Sequence, residues 1–201
     1  MSLIEIDTSG TGTQSFAYGE TFAGEGGIAK AKNGRVAGIG EKLLDGARRA
    51  RDKDGNLLFP DLAHVRTPSD LTVEQVAAIY RFQTDQNFDT VGGSAALDKV
   101  GDPYAAAALN DTLFRPGAAG GARTVQQAIN EVLGSGSVPE DGQMGPATLD
   151  AYARLAQNPD TRAELLDALA RRRTAWEKDP QNRTTPDPAR IEHFRYLGAR
   201  D

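Results

Sequence analysis

The segment Pro139-Glu140-Asp141-Gly142-Gln143-Met144-Gly145-Pro146-Ala147-Thr148-Leu149 restricts the possible folds of this chain more than any other. Asp141-Gly142 reads as a tight turn, and Gly145 as a point where the backbone takes an angle closed to side chains. Pro146 presets the first φ of a helix that continues through Leu149, Tyr152 and Ala153. Upstream, Thr124-Val125-Gln126-Gln127 has the form of a capping box, and Val125, Ala128, Ile129, Val132 and Leu133 recur at helical spacing. The sequence therefore predicts two amphipathic helices on either side of a Gly-rich loop.

Composition narrows what such a chain does. With 201 residues it forms one domain or two small ones, each able to bury a core. Hydrophobic residues at 39% and charged residues at 25% suit a globular protein, and a net charge of -5 argues against a general nucleic-acid binder. The two histidines, His64 and His193, are far apart and there is no cysteine, so no metal site of the His/Cys type and no cofactor is expected. Met1 to Asp7 has neither a basic n-region nor an apolar h-region, and no apolar run is long enough to span a membrane. Neither a signal peptide nor a membrane span is therefore expected.

Read in order, Ser9 to Ser15 is a Gly/Thr/Ser loop after a short arm, and Phe16 to Ala23 a short helix weakened by Gly19 and Gly24. Ile28 to Gly38 alternates apolar and basic residues around Asn33-Gly34, the pattern of a small β-hairpin. Leu43, Leu44, Ala47 and Ala50 predict a helix over about Glu41 to Arg51, ended by the turn Asp52-Lys53-Asp54-Gly55-Asn56. That turn resembles the start of a calcium loop but has Leu57 and Ala63 where an EF-hand needs glycine and glutamate. Thr72-Val73-Glu74-Gln75 caps a helix with Val73, Val76, Ala77 and Tyr80 on its buried face, and Asp102-Pro103 opens another through Thr112. Gly117 to Ala122 reads as an internal joint, Thr161-Arg162-Ala163-Glu164 as a further capping box, and Arg171-Arg172-Arg173 as a solvated rim. Asp187 and Pro188 start a last helix anchored by Ile191, Phe194 and Leu197.

The order Asp141-Gly142, two residues, Gly145-Pro146, one residue, Thr148-Leu149 closely resembles the peptidoglycan-binding half at the C-terminus of glycoside hydrolase family 108 lysozymes, which include phage endolysins and bacterial secretion-associated muramidases. Leu71 to Arg81 resembles that family's helix after the active-site region. Glu25-Gly26-Gly27 matches the motif that holds its catalytic glutamate. The resemblance implies a mainly α fold of α+β, lysozyme-like type: a helical bundle with a small β-hairpin after the first helix. It further implies a catalytic region over 1–116 and a helical peptidoglycan-binding region over 117–201 packed on it.

The chemistry implied is hydrolysis of the glycan backbone of peptidoglycan, in which one carboxyl group protonates the leaving oxygen and a second group stabilises the oxocarbenium-like centre or activates water. Glu25 is the candidate acid, with Glu20 as fallback. The chain departs from the family after Glu25: Ile28 replaces an aromatic residue, and Arg35 and Ala37 stand where threonine and tyrosine precede a Gly-Ile pair, here Gly38-Ile39. The next acidic residues are Glu41 and Asp45, the candidates for the second group. Tyr18 and Tyr80 are candidate sugar-stacking residues, and Asp141, Gly142, Gly145 and Thr148 candidate wall-binding ones. The resemblance also leaves open a non-catalytic wall-binding or structural role with a phage-tail or secretion-system partner. A chain made in the cytoplasm without a signal peptide would reach the wall through a holin, through a specialised secretion route, or as part of a virion.

Overall fold

The computed structural model describes residues 12–24, 36–182 and 186–197. They form α1 (Gly12–Gly24), α2 (Glu41–Arg49), α3 (Val73–Asn87), α4 (Ala96–Val100), α5 (Pro103–Phe114), α6 (Ala118–Leu133), α7 (Pro146–Gln157), α8 (Pro159–Lys178) and α9 (Pro188–Leu197). Short 3-10 turns fill the connections before and after α3. The mainly α class expected from the sequence holds. The expected β-hairpin is not seen: Ile28 to Arg35 lie outside the described residues, and beyond them Val36 and Ile39 form only an isolated antiparallel bridge. Ala37 and Gly38 between them have φ of +49° and +72°, the left-handed pair of a type I′ turn.

Four helix starts follow the sequence signals. Thr72 and Gln75 exchange the two bonds of a capping box at α3, and the Asp102 carboxylate accepts from the Ala105 amide at α5. Pro146 and Pro188 occupy the first positions of α7 and α9, and Asp187 accepts from the Arg190 amide. Two capping boxes are corrected. Thr124 lies inside α6, where its hydroxyl donates to the Gly120 carbonyl; the helix starts six residues earlier, at Ala118. Asn158, not Thr161, caps α8 by accepting from the Asp160 amide, with Pro159 as the first residue.

The buried apolar residues fall into two clusters. The smaller runs from Val36 to Tyr80 and takes in Ile39, Leu44, Leu62, Val76 and Ile79. The larger collects α1 and α4 to α9 around α5, whose residues Ala105 to Leu113 are all buried, and it draws on both sides of Gly117. Helix α3 places Val76, Ile79 and Tyr80 in the smaller cluster, and Phe88, the residue that caps its C-terminal end, belongs to the larger. The small side chains of α5 and of the following turn let helices approach closely. A Cβ at Gly121 of α6 would stand 2.5 Å from the Thr112 carbonyl oxygen, so the Gly/Ala stretch serves helix contact.

Polar side chains fix the register inside the larger cluster. Asn110 of α5 donates to the Thr21 hydroxyl of α1 and accepts from the Thr84 hydroxyl of α3, both at 3.0 Å. One residue on, the fully buried Asp111 pairs with Arg173 of α8 and Arg190 of α9. Arg115 joins Glu177 and Asp187 beside it. The solvated-rim reading of Arg171 to Arg173 is therefore corrected in part. Arg171 and Arg172 pair with Glu131 near the surface, whereas Arg173 is 2% exposed and holds three helices together.

Candidate functional site

Helix α1 packs chiefly on α5 and ends at Gly24. Glu25 itself lies outside the described residues, as does the Asn33-Gly34 turn. Val36, 2% exposed, lies in the smaller cluster. The fallback acid, Glu20, is hydrogen-bonded to His193 of α9, Oε2 to Nε2 2.6 Å, and so joins the last helix to the first.

Glu41 is the exposed first residue of α2, and Asp45 lies one turn later on the same helix. Asp45 is held by Arg48 at 2.6 Å and Arg49 at 3.7 Å. Arg48 also donates to the Val65 and Arg66 carbonyls, so the Asp45–Arg48 pair is anchored to the loop before α3.

The two tyrosines expected to stack on sugar are core residues, which corrects that assignment. Tyr80 is 2% exposed, its ring lies on Phe114 with centroids 4.6 Å apart, and its hydroxyl donates to the Ala37 carbonyl at 2.7 Å. That bond secures the left-handed Ala37, whose backbone conformation costs an L-residue about 1 kcal/mol or more. Tyr18 is also enclosed, and burial pushes its hydroxyl pKa up. Neither ring has a free face.

Of the four candidate wall-binding residues, Asp141, Gly142 and Gly145 lie in the loop between α6 and α7, and Thr148 lies in the first turn of α7. Gln126 of α6 is the hub that sequence reading missed. Its side-chain amide donates to the Asp141 carboxylate at 2.7 Å and to the Gln143 carbonyl at 2.9 Å, while its oxygen accepts from the Gly142 amide at 2.9 Å. These bonds hold the Asp141 carboxyl below its ordinary pKa, the Gln126 bond contributing most and the Gln143 amide next. Gly142 needs to be glycine: its φ is +78° and a Cβ would stand 3.0 Å from the Ala119 carbonyl oxygen. Gly145 does not, which corrects the sequence reading, because its backbone is extended (φ -78°, ψ 169°) and a Cβ there would meet nothing within 4 Å. Thr148 is buried at 2% beneath the loop. One turn along α6, Asn130 grips both the amide and the carbonyl of Val138. The only signal of these clamps in the sequence is a pair of amides four residues apart on one helix.

Beside this loop lies a broad groove of about 580 Å³ between the end of α4 and the outer side of α7. Among the described residues no group of three or more His, Cys, Asp or Glu side chains is placed to hold a metal, and no helix is long and apolar enough to cross a membrane. Comparison with protein-family models, with curated proteins and with solved structures gives no match.

Proposed function

We propose that the chain is a peptidoglycan glycosidase of the lysozyme type, with Glu25 as general acid and the glycan strand lying across the joint between the two buried clusters. The observation that carries this reading is the division of the buried apolar residues into two clusters, with α1 in the larger and Val36 to Tyr80 in the smaller. Helix α3 supplies Val76, Ile79 and Tyr80 to the smaller cluster and reaches the larger through the Thr84 hydroxyl on Asn110. Polymer-cleaving sites occur where two packed bodies meet, because a joint offers a groove with walls on both sides. Asp45, paired with Arg48 and Arg49, supplies the complementary group, and Glu41 on the same helix is its alternative. The enzyme reaches the wall by holin-dependent or specialised release, or within a virion.

A second reading, a wall-binding or structural module without activity and with a phage-tail or secretion-system partner, draws on one observation. Where the resembled family has tyrosine before Gly-Ile, this chain has Ala37, whose carbonyl is already engaged by Tyr80. Digestion of purified sacculi with mass spectrometry of the products separates the two. The parent protein should release muropeptides, and Glu25→Gln should abolish release while leaving the fold intact. Release undiminished in Glu25→Gln eliminates Glu25 as the acid, and sacculus binding by the parent without any product establishes the second reading.

A further inference from the structure

The groove beside α7 carries a function that the catalytic proposal does not use. Its floor is made of small apolar side chains, Ala147 and Ala151 of α7 with Val138 of the preceding loop. Its walls are fixed, because the Gln157 side chain donates to the Lys99 carbonyl at 2.9 Å and fills the space beside Gly101, and Asn130 holds Val138 in place. Three charged side chains stand around this floor: Lys99 from α4, and Asp150 and Arg154 from α7. All three are exposed, and none has an ion-pair partner within 4 Å among the described residues. Several arginines elsewhere are tied up by carboxylates. Arg48, Arg49, Arg115, Arg162, Arg173 and Arg190 are each paired with a carboxylate. Asp150 and Arg154 are spaced for an i,i+4 pair on α7, yet they leave each other free and face the same groove.

A rigid, shallow, apolar floor flanked by two free cations and one free anion is complementary to an extended peptide that presents free carboxylates and an amine. A neutral sugar chain offers it no such charges. We propose that this groove binds the stem peptide of peptidoglycan, with Lys99 and Arg154 taking its carboxylates and Asp150 its amine. The inference rests on the wall-directed reading above and adds to it a second contact, on the peptide, away from the glycan joint. Holding both glycan and peptide keeps the strand engaged between cleavage events, since the second contact forms at the high effective concentration set by the first.

The test is calorimetric titration of the full chain with three probes: a free stem tetrapeptide, the same peptide with its carboxylates amidated, and peptide-free glycan strands. The free tetrapeptide should bind saturably. Amidation, and separately Lys99→Glu combined with Arg154→Glu, should weaken binding about tenfold or more, because each replaces attraction by its absence or by repulsion. Circular dichroism guards against a folding defect, which these exposed positions give no reason to expect. Glycan strands bound or cut without any tetrapeptide binding overturn the groove assignment and leave the wall reading standing. Tetrapeptide affinity unchanged by both charge reversal and amidation also overturns it. Failure of all three probes and of sacculi overturns both.

Discussion

Around the larger buried cluster the helices are fastened by polar side chains aimed at specific partners: Asp111 between Arg173 and Arg190, Asn110 between Thr21 and Thr84, and the Gln126 and Asn130 clamps on the α6–α7 loop. Around the smaller cluster the means are different. Every buried amide, hydroxyl-bearing aliphatic or charged side chain among the described residues falls in 14–21 or 84–190, and none between Val36 and Ile79. That region holds together by apolar contact, tight turns, the phenol-to-backbone bond at Ala37 and partly exposed polar contacts such as those of Arg48 with the Val65 and Arg66 carbonyls. Apolar packing tolerates small rearrangements, whereas a buried charge pair tolerates none without large cost. The comparison teaches that the smaller region is the more deformable one. The glycan site proposed at the joint would draw on that property, because movement of one wall lets substrate enter and product leave.

The largest expected effect strikes the rigid side. Asp111→Ala leaves Arg173 and Arg190 buried without their shared carboxylate, and removing one partner of a buried pair costs about 3–5 kcal/mol. Urea unfolding should show that loss. Native-state hydrogen exchange should show it first in α5, α8 and α9, before the smaller cluster responds. A loss under about 1 kcal/mol, within the range of an exposed ion pair, breaks the contrast between the two regions.

A smaller effect is expected on the deformable side. Tyr80→Phe keeps the ring on Phe114 and removes only the bond to the Ala37 carbonyl, at a cost of about 1 kcal/mol. Because that bond secures a left-handed alanine between the bridge residues Val36 and Ile39, the change should speed amide exchange at Val36 and Ile39 and leave α5 and α8 unaltered. Equal acceleration in both regions means that they open as one unit, and the two-body account of the site goes with it.

How far the sequence disclosed these features depended on whether the deciding partner was local. Helix starts with a side chain bonding its own first turn were legible: Thr72, Asp102 and Asp187 act within three residues of themselves. The same residue types misled where a threonine satisfies a carbonyl inside a helix instead, as Thr124 does at Gly120. Arg173 is indistinguishable from Arg171 and Arg172 in the sequence. Its burial is decided by Asp111, 62 residues away. The motif at 139–149 was legible as a turn launching α7, yet four of its residues turned out to serve the loop itself, because the hub that reads them, Gln126, lies on another helix. Of the candidate site, the helix that ends at Gly24 was readable; the division into two buried clusters was not, since it rests on long-range packing.

The mildest test concerns the loop clamp, which belongs to the rigid side but lies at the surface. Asp141 accepts bonds from Gln126 and from the Gln143 amide, and both favour its ionised form, so its folded pKa lies below the ordinary 3.8. A depressed carboxyl contributes stability that is fully present above its unfolded pKa and is lost as pH falls through its folded value. The loop should therefore remain clamped as acid is added past 3.8 and loosen only below it, seen as faster exchange at Gly142, whose amide donates to Gln126. Asp141→Asn retains an acceptor oxygen but cannot titrate, so its Gly142 exchange, corrected for intrinsic chemistry, should show no such step. A step of equal size in the variant assigns the acid response to another group and shows that the polar fastening of the larger region does not depend on this carboxylate's charge.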